Sequence, residues 1–346
     1  MSRLLVVLLL VPMLILPASA MEFTAPEAPE SVQDLMPPQT ESFGEGLWKV
    51  IKAAIGTIEP QITKAGKTCI ILVCIAMLVS LFRQLPSGSA NISEFAGCIA
   101  IGILLLGETD SMIQLASDTV RELSDYGKLL LPVLAAAQAA QGGVTASASL
   151  YAGTVAFDAI LGTAVSKVMV PMVYMYLAMS VAGCAIGEEM LKRIRDLIKW
   201  LITWCLKNGL YIFTGYMGIT GVASGATDAA KLKAAKLTIS SVVPVVGGIL
   251  SDASEAVLVG AGMMKSAAGI YGLVAVSAIW ISPFLQLGIQ YLMLKIAGAL
   301  CAMLDAKQVS TLVDSFSTAM GLLLGMTGVM CILLLVSTVC FMKEVG

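Results

Sequence analysis

The chain contains no histidine. That absence excludes His-based catalytic triads, zinc held by imidazole and haem held by a proximal histidine. It also removes the side chain that most often switches charge near neutral pH. Charge is scarce: only 13% of residues are Asp, Glu, Lys or Arg, against roughly 25% in soluble domains. With a net charge of −2 there is no basic surface for nucleic acid. No GxSxG or HExxH pattern is present, so neither catalytic motif supports an enzyme. The eight cysteines include no CxxC pair and lie in or beside apolar stretches, which reads as small buried hydrophobes rather than a disulfide framework. No metal, cofactor or catalytic residue is expected.

What is present is grease. Hydrophobic residues make up 58% of the chain, and mean hydropathy is +0.90. Cys69–Phe82, Val168–Gly187, Ala267–Ser282 and Met320–Phe341 are almost free of charge. Such stretches need a bilayer as solvent, and in lipid every backbone polar group must be satisfied internally. The expected fold is all-α: a polytopic membrane helical bundle of about seven to nine spans, with amphipathic interfacial helices beside it.

The N-terminus reads as a cleavable signal peptide over residues 1–20. Arg3 precedes an apolar Leu4–Leu16 core, and Pro17-Ala18-Ser19-Ala20 ends in a small-x-small pattern. Residues 21–67 form a short extracytoplasmic lead. Its first part, rich in proline and acid, reads as extended and poorly ordered. From residue 43, Phe43, Leu47, Ile51, Ile55, Ile58 and Ile62 recur at helical spacing, with Trp48 suited to the headgroup level.

Residues 68–346 form the transmembrane domain. Spans are expected at Thr68–Phe82, Ile92–Leu106, Thr145–Val165, Val168–Gly187, Leu201–Gly221, Ala267–Ser282, Phe284–Met303 and Thr318–Phe341, with Pro283 separating two of them. Between Glu108 and Lys128 the pattern is that of an interfacial helix, with Ile113, Ala116, Val120 and Leu123 on one face. Leu129–Ala140 is too short to distinguish re-entrant from spanning. Lys192, Arg193, Arg195 and Lys199 mark a cytoplasmic end by the positive-inside rule, and Lys343 points to a cytoplasmic C-terminus. Asp158, Lys207 and Glu255 are candidate intramembrane polar residues, which are functional candidates by default.

Residues 215–255 are the least ordinary stretch. Gly215, Gly218, Gly221 and Gly225 approach Asp228 and Lys231…Lys236; Pro244-Val245-Val246-Gly247-Gly248 and Ser251-Asp252-Ala253 follow. An irregular backbone at membrane depth must be buried in protein or face water. Gly215, Gly218, Gly221, Gly225, Asp228, Pro244, Gly247, Gly248 and Asp252 are therefore the candidate conduit or subunit-contact residues. At these residues the chain resembles the stage III sporulation protein AE family of endospore-forming Firmicutes, and the resemblance extends over essentially all of the mature chain. It implies a non-enzymatic, multi-pass subunit of the sporulation channel, or feeding tube, in the mother-cell membrane around the forespore. It further implies partners among the other stage III membrane proteins, including a companion cytoplasmic ATPase and ring-forming proteins. A stand-alone secondary transporter or permease for a small solute is the alternative from a different class.

Overall fold

The computed structural model describes residues 25–36, 43–83, 90–140, 144–186, 189–219 and 267–343. Among these the fold is all-α, with eight α-helices and no strand. They are α1 (Phe43–Gly56), α2 (Glu59–Arg83), α3 (Ala90–Ala140), α4 (Val144–Ala164), α5 (Val170–Ile186), α6 (Glu189–Ile219), α7 (Ala267–Met303) and α8 (Lys307–Lys343). Five helical stretches among the described residues are long and apolar enough to cross a membrane: Glu59–Arg83, Ile92–Ala139, Ala148–Cys184, Gly269–Met303 and Lys307–Phe341.

Several expected spans merge. The span at Ile92–Leu106, the interfacial helix and Leu129–Ala140 form one helix of 51 residues, with Pro132 inside it. Ile113, Ala116, Val120 and Leu123 do share a buried face, but α3 packs against α8 rather than on a lipid surface. Charge alone does not stop a helix when the charged side chains point outward. Likewise α4 runs into α5 through a π turn at Val165–Met169. Pro283 lies inside α7 instead of dividing it. A proline removes one backbone bond, and neighbouring helices can compensate; here Trp280 packs on Phe284 across that turn, ring centres 4.5 Å apart.

Leu201–Gly221 was expected to span, but within its described extent α6 lacks the necessary apolarity. Its Ile198, Ile202, Leu206, Leu210, Phe213 and Met217 form a single buried stripe. Lys207 is exposed on this helix.

α8 is the axis of the molecule, packed against α3, α4, α5, α6 and α7. Within its apolar stretch 94% of residues are buried by protein, against 28% in α2. Equal greasiness thus serves two purposes: α8 is core, whereas α2 presents Ile70, Met77, Leu78, Leu81 and Phe82 outward. Hydroxyls inside α8 are satisfied locally; Thr327, Ser337 and Thr338 bond carbonyls in the preceding turn at 2.6 to 3.2 Å.

α7 and α8 form a hairpin at Leu304–Ala306, where Asp305 adopts φ 58°, a left-handed conformation that Asp tolerates better than most residues. Arg83 secures this turn. It donates to the Asp305 carbonyl, pairs with the Asp305 carboxylate at 3.5 Å and with Glu94 at 3.1 Å. Because α8 runs away from this end, its last residue lies opposite Arg83 and the basic start of α6. The basic start of α6 and Lys343 therefore lie at opposite ends of the bundle, so the two expectations of a cytoplasmic location hold together only if α8 does not cross the bilayer from end to end.

The described part of the N-terminal lead is packed rather than loose. Ala28 and Val32 are buried, Glu30–Leu35 forms a 3-10 turn, and the Ala28 amide donates to Tyr271 Oη at 3.2 Å. α1 then ends at Gly56, and Pro60 opens α2, so the expected continuous periodicity from 43 to 62 is split. The buried face of α1 is Phe43, Gly46, Val50 and Ala54, while Ile55 is exposed.

Cys98 and Cys184 form a disulfide between α3 and α5, overturning the expectation that every cysteine is a reduced hydrophobe. The helices meet closely there: a Cβ added at Gly102 would lie 3.1 Å from Val181. Contact between residues so distant in sequence carries no spacing signature.

Candidate functional site

The described candidate site is a polar face on α6, α7 and α8, in the half of the bundle near the Asp305 turn. α8 presents Lys307, Thr311, Asp314 and Thr318 at spacings of four and three, none of them buried, in a helix that is mostly enclosed. The spacing keeps them on one side. α7 flanks this stripe through Lys295, whose ammonium lies 2.8 Å from Asp314 Oδ1. Gly298 lets α7 approach, since a Cβ there would meet Asp314 Oδ1 at 3.3 Å. The Ser310 hydroxyl, next to the stripe, donates to the Gly298 carbonyl at 2.9 Å. α6 flanks the other side, with Arg195 donating to Ser315 Oγ at 3.1 Å.

The ion pair is half exposed. Lys192, Arg193 and Asp196 on α6 are also exposed. Beyond them α6 carries a stacked Trp200–Trp204 pair, ring centres 6.1 Å apart, and exposed Tyr211 and Ile212. Charges cannot face hydrocarbon cheaply. This side of the bundle therefore suits protein or water, whereas the outward sides of α2, α3 and α7 near the Asp305 turn suit lipid.

Two further polar clusters lie elsewhere, the first buried and the second partly buried. Asp158 is buried on α4 and accepts a hydrogen bond from Ser124 of α3 at 2.6 Å; its other carboxylate oxygen has no protein partner. Thr154, one turn earlier, is fully buried. In the second cluster, Glu108 of α3 accepts from Thr68 of α2 at 2.8 Å and from Gln290 of α7 at 3.2 Å. A cavity of about 20 Å³ beside it is lined by Gln61, Lys64, Glu108, Gln286 and Gln290.

Among the sequence candidates, Gly215 is exposed in the last turns of α6, with open space where a Cβ would stand. Gly218 belongs to the same helix. Thus the irregular stretch expected from 215 begins after Ile219 at the earliest. Gly221, Gly225, Asp228, Pro244, Gly247, Gly248, Asp252 and Glu255 lie outside the described residues, as does the expected signal peptide. Asp158 lies on α4 and Lys207 on α6. Sequence pattern missed Glu108, Lys295 and Asp314; the available signal was a lone lysine within apolar Phe284–Met303.

No group of His, Cys, Asp or Glu among the described residues is arranged to hold a metal ion. No solved structure matches the chain. A curated relative, stage III sporulation protein AE of Bacillus subtilis (strain 168), is 22% identical over 283 residues, covering 80% of this chain and 70% of the relative. The sequence profile of the stage III sporulation protein AE family matches residues 31–344. An all-helical bundle with membrane-length apolar helices, matched along nearly its whole length, places this chain in the stage III sporulation protein AE family.

Proposed function

We propose that this sporulation protein is a non-enzymatic, multi-pass subunit of a membrane-embedded assembly connecting the mother cell with the forespore. Its place is the mother-cell membrane surrounding the forespore, and its partners are other stage III sporulation membrane proteins, including a cytoplasmic ATPase and ring-forming components. The observation that carries the reading is the polar face of Lys295, Asp314 and Thr311 on two helices otherwise greasy enough to span a bilayer, flanked by Arg195 of α6. A subunit contact or a water-filled conduit accommodates such a face, and lipid does not. The conduit or subunit-contact candidates read from the sequence within residues 215–255 are further contact residues in this proposal.

The test is purification of a tagged, functional chain from sporulating cells. Stoichiometric recovery of further stage III membrane proteins supports the proposal. Recovery of a solitary protein that moves a small solute when reconstituted alone overturns it in favour of a transporter.

A further inference from the structure

We propose that the bilayer surrounds only the half of the bundle nearest the Asp305 turn, and that the other half stands clear of the membrane as a helical pier. This concerns the outward sides of α2, α3 and α7; the polar face in the same half is left to the subunit or water contact of the proposed function.

The outward side of α3 changes character at Gly107, and again after Lys128, where Leu129, Pro132 and Ala136 are exposed. Before Gly107 its exposed residues include Ile92, Phe95, Ile99, Ile103 and Leu106; after it they include Ser111, Gln114, Asp118, Arg121, Asp125 and Lys128. α2 changes in the same manner. Glu59, Thr63, Lys64 and Lys67 are exposed first, then Ile70, Met77, Leu78, Leu81 and Phe82. On α7, half-buried Gln286 and Gln290 give way to exposed Leu292, Ile296, Leu300 and Met303.

Hydrogen bonds hold these transitions at one level. Glu108 binds both Thr68 and Gln290, joining the three helices at their transition points. Two residues on, Asp110 accepts from Tyr174 of α5 at 2.6 Å, bringing a fourth helix into register with the kind of side chain that favours a membrane–water interface. The opposite boundary is the Arg83–Glu94–Asp305 cluster. From Thr68 to Arg83, from Glu108 to Glu94 and from Gln290 to Asp305, a rise of 1.5 Å per residue gives about 22 Å each time. That is somewhat short of a hydrocarbon core of about 30 Å. Snorkelling of Lys67 and Arg83 together with local thinning accommodates the difference.

A full-length crossing by α3 does not fit. Its 51 residues extend about 76 Å, and beyond Glu108 charged groups face outward repeatedly. The apolar second half of α8 needs no lipid there, because α3, α4 and α7 enclose it. The pier also carries the N-terminal lead: Tyr126 donates to the Pro26 carbonyl at 3.3 Å, and Ser31 bonds Glu122. The opposite end carries Lys307 and, at the start of α6, Lys192 and Arg193, which orients that end toward the cytoplasm and the pier away from it.

The experiment places single nitroxide labels on the full chain in phosphatidylcholine–phosphatidylglycerol vesicles, at Ile99→Cys, Ile103→Cys, Gln114→Cys, Asp118→Cys and Asp125→Cys, with the free cysteines replaced. Power saturation compares access by oxygen with access by a nickel chelate. Oxygen should dominate at 99 and 103, the chelate at 114, 118 and 125, with the crossover between 106 and 111. Oxygen dominance at 118 and 125, or chelate access at 99 and 103, overturns the proposal. A second readout keeps all native cysteines. In intact membranes an impermeant maleimide should spare exposed Cys74 and modify Asp118→Cys; equal protection of both sites would refute the pier.

Discussion

Replacing Glu108 by alanine tests whether the Thr68–Glu108–Gln290 knot holds three helices together. The carboxylate accepts two hydrogen bonds, at 2.8 and 3.2 Å. A hydrogen bond to a charged group contributes about 1.5–3 kcal/mol. Three features of the structure reduce the sum. Glu108 is only partly buried, Thr68 keeps a second acceptor in the Lys64 carbonyl at 3.3 Å, and the adjoining cavity of about 20 Å³ has room for one water. The expected loss for Glu108→Ala is therefore about 2–3 kcal/mol, and about 1 kcal/mol for Glu108→Gln, which keeps a neutral acceptor. Thermal unfolding in detergent, followed by tryptophan fluorescence, measures the order of the three proteins. A Glu108→Ala/Thr68→Val cycle should return a coupling of about 1 kcal/mol, since the residues touch. Unchanged melting for Glu108→Ala, or no coupling, would show that the knot does not bind the helices.

Three other perturbations probe separate parts of the molecule. Asp158→Asn should leave stability unchanged or raised, because it removes a buried charge yet retains an acceptor for Ser124; Asp158→Ala should cost about 1–3 kcal/mol, and equal losses in the two melting curves would contradict this. Reversing one charge, Lys295→Asp or Asp314→Lys, should change the melting of the isolated subunit by about 1 kcal/mol or less, since the pair is half exposed. Either reversal should strongly reduce spore yield, and the double reversal should recover much of it; wild-type yield from both single variants would exclude the pair from assembly. Cys98→Ala should lower oxidised-protein stability by about 3–5 kcal/mol, the range expected for a cross-link closing a long loop, and the difference from wild type should largely vanish in reductant.

Fold class was legible in composition because apolar helices are what a bilayer accepts. The inward face of α3 was legible too: Ile113, Ala116, Val120 and Leu123 recur at helical spacing, and all four are buried. What that face packs against was not legible, since an α8 in the core and a lipid surface impose the same pattern. The same degeneracy obscured the contrast between outward-facing α2 and enclosed α8, which differ in surroundings rather than in letters. Pro283 and the charges after Glu108 are sound local stop signals, overridden by tertiary packing along α7 and α3. Glu108, Lys295 and the Cys98–Cys184 bridge gain their meaning from residues far away in sequence, so periodicity within one segment did not reveal them. Residue types at 215–255 carried the family resemblance, while the polar face came from helices on either side of that stretch.

The most direct measurement of the central claim is photo-crosslinking in sporulating cells, with a photoreactive amino acid at Thr311 on the polar face and, separately, at Ile103 on the apolar side. The assembly reading predicts a discrete adduct with another stage III membrane protein from position 311 and only lipid adducts from position 103. Lipid adducts alone from both positions would contradict it.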